Sequence, residues 1–200
     1  MRIRISHLAV LIAAAVALLG SARAQDPAKA PKPLRAELAV DYTFVRSNAP
    51  PGSCDCFSLN GGGVSFAWPV KPNHFALAGD MTFTHAGSIT GKGYDLTLSS
   101  YTAGAKYLIP MPHDSHLQPF AQALVGVAHA SGSLVEGRTP AANNAGAAFA
   151  AHVGGGLDLR LARRYSLRLI EADYMVTTID NGVNDHQNNF RISAGVVFHF

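Results

Sequence analysis

The sequence predicts an all-β protein, an eight-stranded antiparallel up-and-down β-barrel whose strands cross a membrane. Three observations predict it. Apolar and polar residues alternate at period two along most of the chain, the signature of strands with unlike faces. The segments between these strands are alternately short and long. Beyond an N-terminal apolar stretch, no segment is long and apolar enough to cross as a helix, which needs about 20 residues.

The elements follow in order. Arg2 and Arg4 precede an apolar run from Leu8 to Leu19, and Ala22-Arg23-Ala24 ends it as an A-x-A cleavage site. Residues 1–24 therefore read as a secretory signal peptide. With three Pro and two Lys, residues 25–33 read as a disordered leader, and 34–200 as the barrel. Arg2, Arg4 and Arg23 leave with the signal, so the mature chain carries 13 residues of each sign. A neutral chain without a clustered basic face offers nothing to nucleic acid.

The first strand sends Leu34, Ala36, Leu38, Val40, Tyr42 and Phe44 outward, with Arg35, Glu37, Asp41 and Thr43 inward. In the second, Val64, Phe66, Trp68 and Val70 face out. In the third, Phe75, Leu77, Met81 and Phe83 face out, while Asp80, Thr82 and Thr84 face in. The fourth is mixed. Tyr94, Leu96 and Leu98 have one parity and Tyr101 to Ile109 the other, which a bulge or strand start near Ser99-Ser100 would reconcile. Leu117 to His129 is the fifth, its facing unfixed because both parities are mostly apolar. The sixth places Phe149, Ala151, Val153, Leu157 and Leu159 outward, opposite His152, Asp158 and Arg160. Ser166 to Thr177 is the seventh, its facing also open. Phe190 to Phe200 is the eighth, with Arg191, Ser193, Gly195 and His199 inward.

Connections after strands two, four and six are short, and the others are longer and rich in Gly, Asn, Asp and Pro. Transmembrane barrels have short periplasmic turns, longer outer loops and an even strand count, which places both termini in the periplasm. A soluble lipocalin-like barrel would reverse the polarity. Tyr42, Phe44, Trp68 and Phe83 lie near strand ends on the apolar face, as an aromatic girdle would.

Two stretches carry a resemblance. Ser193, Gly195, Phe198 and Phe200 resemble the C-terminal signal of bacterial outer-membrane barrels, which the barrel-assembly machinery reads. Leu117-Gln118-Pro119-Phe120-Ala121-Gln122-Ala123-Leu124-Val125-Gly126 resembles the fifth strand of the OmpA/OmpX-like superfamily of outer-membrane β-barrel domains. Gly154-Gly155-Gly156-Leu157-Asp158 and Arg168-Leu169-Ile170-Glu171-Ala172-Asp173-Tyr174 are similar to that superfamily as well. The resemblance covers residues 34–200 and leaves no room for a peptidoglycan-binding domain. It implies a location in the bacterial outer membrane. It further implies contact with outer-membrane lipid and lipopolysaccharide, and assembly by the barrel machinery with periplasmic chaperones. The superfamily has structural, adhesive and enzymatic members, so the resemblance names no function.

An eight-stranded barrel is just wide enough for side chains to fill. Arg35, Glu37, Asp41, Asp80, Lys106, Asp158, Arg160 and Arg191 are the expected charge network of the lumen, beside His152. Glu171 and Asp173 join if Tyr174 faces lipid. Mixed signs in a narrow lumen read as an ion-paired plug, since isolated buried charges are too costly to keep. Gly154, Gly156 and Gly195 supply inward positions without side chains, leaving room for long partners. Followed by strand alternation and not by a helix, Gly154-Gly155-Gly156 does not suit a phosphate.

Cys54 and Cys56 sit in the first long loop, where an exported context favours a local disulfide over free or intermolecular thiols and over metal. For hydrolytic chemistry the candidates are His85 with Ser88, His129 with Ser131 or Ser133, and His186. None has an acid at a recognisable spacing, so no catalytic, cofactor or metal residue is assigned. The expected function is a structural, envelope-maintenance or surface-interaction role without an open pore. A narrow porin-like path for ions or small solutes is the alternative, and a lipid A-modifying hydrolase the third reading. No surface ligand is identified.

The terminal strand supplies a test. Phe200→Ala, or removal of Phe198 to Phe200, should impair assembly while leaving signal cleavage before Gln25 intact. Normal outer-membrane yield of both variants on fractionation would defeat the reading.

Overall fold

The computed structural model describes residues 36–47, 56–70, 74–89, 94–112, 115–132, 147–179 and 185–200. The expected signal peptide, the leader, Arg35, Cys54 and most of the longer loops lie outside the described residues. Eight strands are present: β1 (Glu37–Ser47), β2 (Phe57–Val70), β3 (Phe75–Ile89), β4 (Tyr94–Leu108), β5 (Leu117–Gly132), β6 (Ala148–Arg160), β7 (Tyr165–Thr177) and β8 (Gln187–His199). Each pairs antiparallel with the next, and β1 closes on β8 with Glu37 opposite His199 and Ser47 opposite Asn189. The closed sheet has no unpaired edge, the condition for strands to sit in lipid.

Facing follows the period-two rule on β1, β2, β3, β6 and β8. From Leu38 to Phe44, Gly62 to Val70 and Phe75 to Phe83, no outward position carries a charge. The same holds from Tyr101 to Tyr107, Leu117 to Val127, Phe149 to Leu159, Leu167 to Val176 and Phe190 to Phe198. Tyr42, Trp68 and Leu77 stand 60%, 55% and 62% exposed on this wall. A continuous apolar girdle of this extent would be untenable in water and is the ordinary outer face of a membrane barrel. Ring pairs tie neighbouring strands on it: Phe83 with Tyr101 at 5.6 Å, Phe75 with Tyr107 at 4.9 Å and Tyr165 with Phe198 at 5.6 Å.

Four features differ from expectation. β4 has no bulge near Ser99-Ser100. Its ladder to β5 runs unbroken from Leu96–Gly132 to Leu108–Phe120, and Leu96 and Leu98 point into the lumen. β5 turns Phe120, Gln122, Leu124, Ala128 and Ala130 inward; its facing was unreadable because the lumen is itself apolar at that height. β7 carries a bulge, where Leu169 and Ile170 are both exposed and the registers to β6 and β8 shift. The extra residue puts Arg168 on the same face as Glu171 and Asp173. Finally, the connection between β3 and β4 spans only residues 90–93, because the two strands absorb the expected loop as a hairpin.

The strands run 11 to 16 residues, whereas a bilayer needs about 9–11. They therefore continue past the apolar girdle, at the end where the longer loops lie. There the outward positions turn polar: Arg46, Ser58, Asn60, His85, Thr97, Ser99 and His129. At the same height most inward positions turn apolar, with Ser47, Thr177 and Asn189 the buried polar exceptions. Val45, Leu59, Ala86, Leu96, Leu98, Ala128, Ala130, Ala150, Met175 and Ile179 form one buried cluster across seven strands.

The bulge generates a test. Deleting Ile170 alone leaves Arg168 two residues from Glu171, so strict alternation keeps both inward, whereas deleting Leu169 and Ile170 together makes them neighbours and turns Arg168 toward lipid if Glu171 keeps its place. A lipid-facing arginine costs about 2–4 kcal/mol at the bilayer midplane. The urea midpoint of the vesicle-folded barrel should fall further for the double deletion than for the single one, with complete loss of folding the extreme form. Equal midpoints for the two deletions would contradict the assigned role of the bulge.

Candidate functional site in the barrel lumen

The terminal strand supplies the centre of the lumen. Arg191, the third inward residue of β8, is 1% exposed. Its Nε donates to Asp173 Oδ2 at 2.9 Å, and Nη1 to Asp80 Oδ1 at 2.8 Å and Thr82 Oγ1 at 2.9 Å. Nη2 donates to Glu171 Oε1 and Asp173 Oδ2, both at 2.6 Å. These bonds use all five guanidinium donors and span the lumen from β8 to β3 and β7.

Arg168 forms the second hub. Its Nε and Nη2 clasp the two oxygens of Asp158 on β6 at 3.0 and 3.5 Å. Its Nη1 donates to Glu171 Oε2 at 2.7 Å, Ser65 Oγ at 3.2 Å and Asp41 Oδ2 at 3.4 Å. Glu171 thus gives one oxygen to each arginine. Gln122 Nε2 reaches both Glu171 Oε1 and Asp173 Oδ1 at 3.1 Å. Toward the end holding the C-terminus, Lys106 Nζ pairs with Glu37 Oε2 at 2.7 Å and lies 3.9 Å from Asp158. Phe120 presents its ring to Lys106 at 4.1 Å and to the Arg168 guanidinium at 4.9 Å, a cation–π arrangement that suits buried cations.

The inward glycines fit this packing. A methyl at Gly195 would collide with Asp41 Oδ1 and the Val40 carbonyl, and one at Gly154 with Asp173 Oδ1 and the Ala172 carbonyl. Both positions are empty where a network carboxylate must stand. At the strand ends, Ser166 Oγ and His199 Nε2 lie 2.7 Å apart, with His199 Nδ1 3.8 Å from Glu37 Oε1. Ser, His and Glu in sequence suggest a triad, but Ser166 is 1% exposed. Buried there, the chain of contacts fastens β7, β8 and β1 together.

The structure brings Glu37, Asp41, Asp80, Lys106, Asp158 and Arg191 into one network. Arg160 is half-buried beside it and donates to Gln118 Oε1 at 3.0 Å. Arg168 was invisible to alternation because the bulge reverses its parity, and Gln122 and Phe120 because β5 had no readable facing. A 2-residue run breaking alternation, Leu169-Ile170, was the available signal. Of the terminal residues, Ser193 turns inward to Thr43 Oγ1 at 3.0 Å, and Phe198 packs outward on Tyr165. Phe200 donates its N–H to the Ala36 carbonyl at 3.0 Å, which accounts for Ala36 being buried although it was expected to face out.

The hydrolytic candidates are not assembled. His85 Nδ1 lies 3.0 Å from Thr97 Oγ1, and His186 Nδ1 2.8 Å from Asp185 on an exposed segment. His129 and Ser131 share the outward face of β5, where no hydrogen bond joins them among the described residues. Ser133 and Cys54 lie outside the described residues, as does the side chain of Ser88; Cys56 is exposed just before β2. Among the described residues no three His, Cys, Asp or Glu are placed to hold a metal ion.

Residues 12–198 match the family model described as the outer membrane protein beta-barrel domain. The chain belongs to that family. Comparison with curated protein sequences gave no match. Among solved structures, Neisserial surface protein A superposes with a TM-score of 0.60 at 17% identity, covering 82% of this chain and 97% of its own. Ail, the attachment invasion locus protein of Yersinia pestis, gives 0.56 at 17% identity, covering 84% and 100%. OprG from Pseudomonas aeruginosa gives 0.56 at 13% identity, covering 84% and 97%. At these identities the likeness carries the fold alone. What distinguishes this outer-membrane barrel must be read from its own lumen and loop ends.

Arg191 and Arg160 of this barrel are not equivalent in what they leave behind. Arg191→Met strips Asp80 and Asp173 of their cation, and breaking a buried pair in this way costs about 3–5 kcal/mol. Arg160→Met removes a half-buried bond to Gln118 and should cost at most about 1 kcal/mol. Urea titrations of the folded barrels in vesicles check the ordering, and equal losses would refute the network's placement at Arg191.

Proposed function

We propose that this outer-membrane barrel is a closed wall with a structural, envelope-maintenance or surface-interaction role, and not a channel. One observation carries the reading. Arg191 bridges β8, β3 and β7 across the lumen, with every guanidinium donor engaged. A guanidinium so held is a structural strut, since releasing it would expose uncompensated charge to a low-dielectric interior. The cavity beside Lys106, Gln122 and Arg168 is only about 10 Å³, room for about one water.

A non-enzymatic role is supported by the same geometry, because the Ser166–His199 pair, among the described residues, is buried away from solvent. Interaction then belongs to the loops and to the polar loop-end rim, where Arg46, His85 and His129 face outward. In a barrel with both termini periplasmic, that rim stands among lipopolysaccharide headgroups, the proposed lipid partner. The barrel-assembly machinery and periplasmic chaperones are the proposed partners during biogenesis, with Phe198 and Phe200 on the recognised strand.

Reconstituted native protein should show no large, stable channel in planar bilayers. Uniform nanosiemens-scale openings would overturn this reading and favour a pore.

A further inference from the structure

Between the arginine hubs and the loop end lies a layer of the lumen that the closed-wall reading does not use. On β3 the inward residues ascend from Asp80 and Thr82 through Thr84 to Ala86. On β1 they ascend from Asp41 through Thr43 to Val45, and on β6 from Asp158 through two glycines and His152 to Ala150. Each strand thus passes from the ion-pair network, through a small polar layer, to the apolar cluster. In that layer His152 is 2% exposed and neither ring nitrogen has a hydrogen-bond partner; Thr102 Oγ1 is likewise unpartnered. These atoms lie out of reach of solvent from both ends.

We infer that the lumen is closed twice in series, by the apolar ring at the loop end and by the arginine network beneath it. Small cations pass only when both closures are removed. The inference rests on the closed-wall reading and adds where the closure lies. Each layer suffices by a different physics. The ring, apolar on seven strands and completed at β8 by Asn189 accepting from Ser47, excludes ions by keeping its constriction dry. The network excludes them by filling the lumen with paired groups. Selectivity follows from the network's composition. Among the described residues of the network, six carboxylates (Glu37, Asp41, Asp80, Asp158, Glu171 and Asp173) face three cations (Lys106, Arg168 and Arg191), so a path opened through it is lined by excess negative charge.

The test compares four proteins in planar bilayers under a potassium chloride gradient: native, a ring variant (Leu59→Ser with Leu98→Ser), a network variant (Arg191→Gln) and their combination. Only the combination should conduct, with a reversal potential on the cation side. Conduction by either single-layer variant, or a folded combination that is silent or anion-selective, would overturn the inference. A conducting native protein would instead overturn the closed-wall reading. Folding is checked by the mobility shift on boiling. Should the combination not fold, a thiol between the layers decides, placed as Thr84→Cys in a Cys54→Ser, Cys56→Ser background. In proteoliposomes of one orientation, a charged methanethiosulfonate should reach it from one side only in the ring variant and from the opposite side only in the network variant. Labelling from both sides in either folded variant, or from neither side in both, would overturn the inference.

Discussion

Glu171 sits between two arginines, giving Oε1 to Arg191 and Oε2 to Arg168 at 2.6 and 2.7 Å, and the interior of the barrel depends on that junction. A guanidinium taken out of water is tolerable only when its donors are matched. Arg191 and Arg168 meet that condition by drawing carboxylates from β1, β3, β6 and β7, so each ion pair is also a cross-lumen tie between strands. Such a network earns little stability over an apolar filling, since desolvation offsets most of the Coulombic gain. Its effect is on uniqueness. A register slip of one residue in any contributing strand would send its charge into lipid.

The backbone makes the junction geometrically attainable. Strict alternation would put Arg168 and Glu171 on opposite faces, three residues apart. The Leu169-Ile170 bulge brings both inward, and the outward side of the bulge absorbs its extra residue as a second lipid-facing side chain. Opposite, Gly154 and Gly195 leave space where Asp173 and Asp41 must stand. Sequence features that look unrelated, a doubled apolar pair and inward glycines, serve one electrostatic arrangement.

How far the sequence could be read depended on whether the local lumen was polar. β1, β3, β6 and β8 cross the network, so Asp41, Asp80, Asp158 and Arg191 contrast with apolar neighbours and their facing was legible. At the loop end the adjacent strands β4 and β5 both line the apolar ring. There Leu96, Leu98, Ala128 and Ala130 point inward beside outward residues that are no more apolar, and parity lost its meaning. The mixed parity of β4 suggested a bulge; its cause was a change in what the lumen contains. The actual bulge lay on β7, where it hid Arg168. Strand number and closure were legible throughout, because they follow from turns and from the apolar wall and not from the lumen.

The barrel therefore obeys two solvent rules along one set of strands. Within the girdle, the wall is apolar and the inside polar, as lipid outside demands; the hydrophobic effect gives no reason to dry the interior, and charge pairs hold it. Past the girdle, Arg46, Asn60, His85 and His129 meet water, and the interior switches to Val45, Leu59, Leu98 and Met175. That end is built like a soluble barrel, each large buried side chain contributing about 1.5–3 kcal/mol from the removal of apolar surface from water. On β1, β2 and β4 the switch falls on the same residues inside and out: Val45 beside Arg46, Leu59 beside Asn60, Leu98 beside Ser99. An interior layer whose polarity inverts in step with the outer face marks where the strands leave the bilayer. The packed cluster closes this end among the described residues, which leaves loop sequence free to vary.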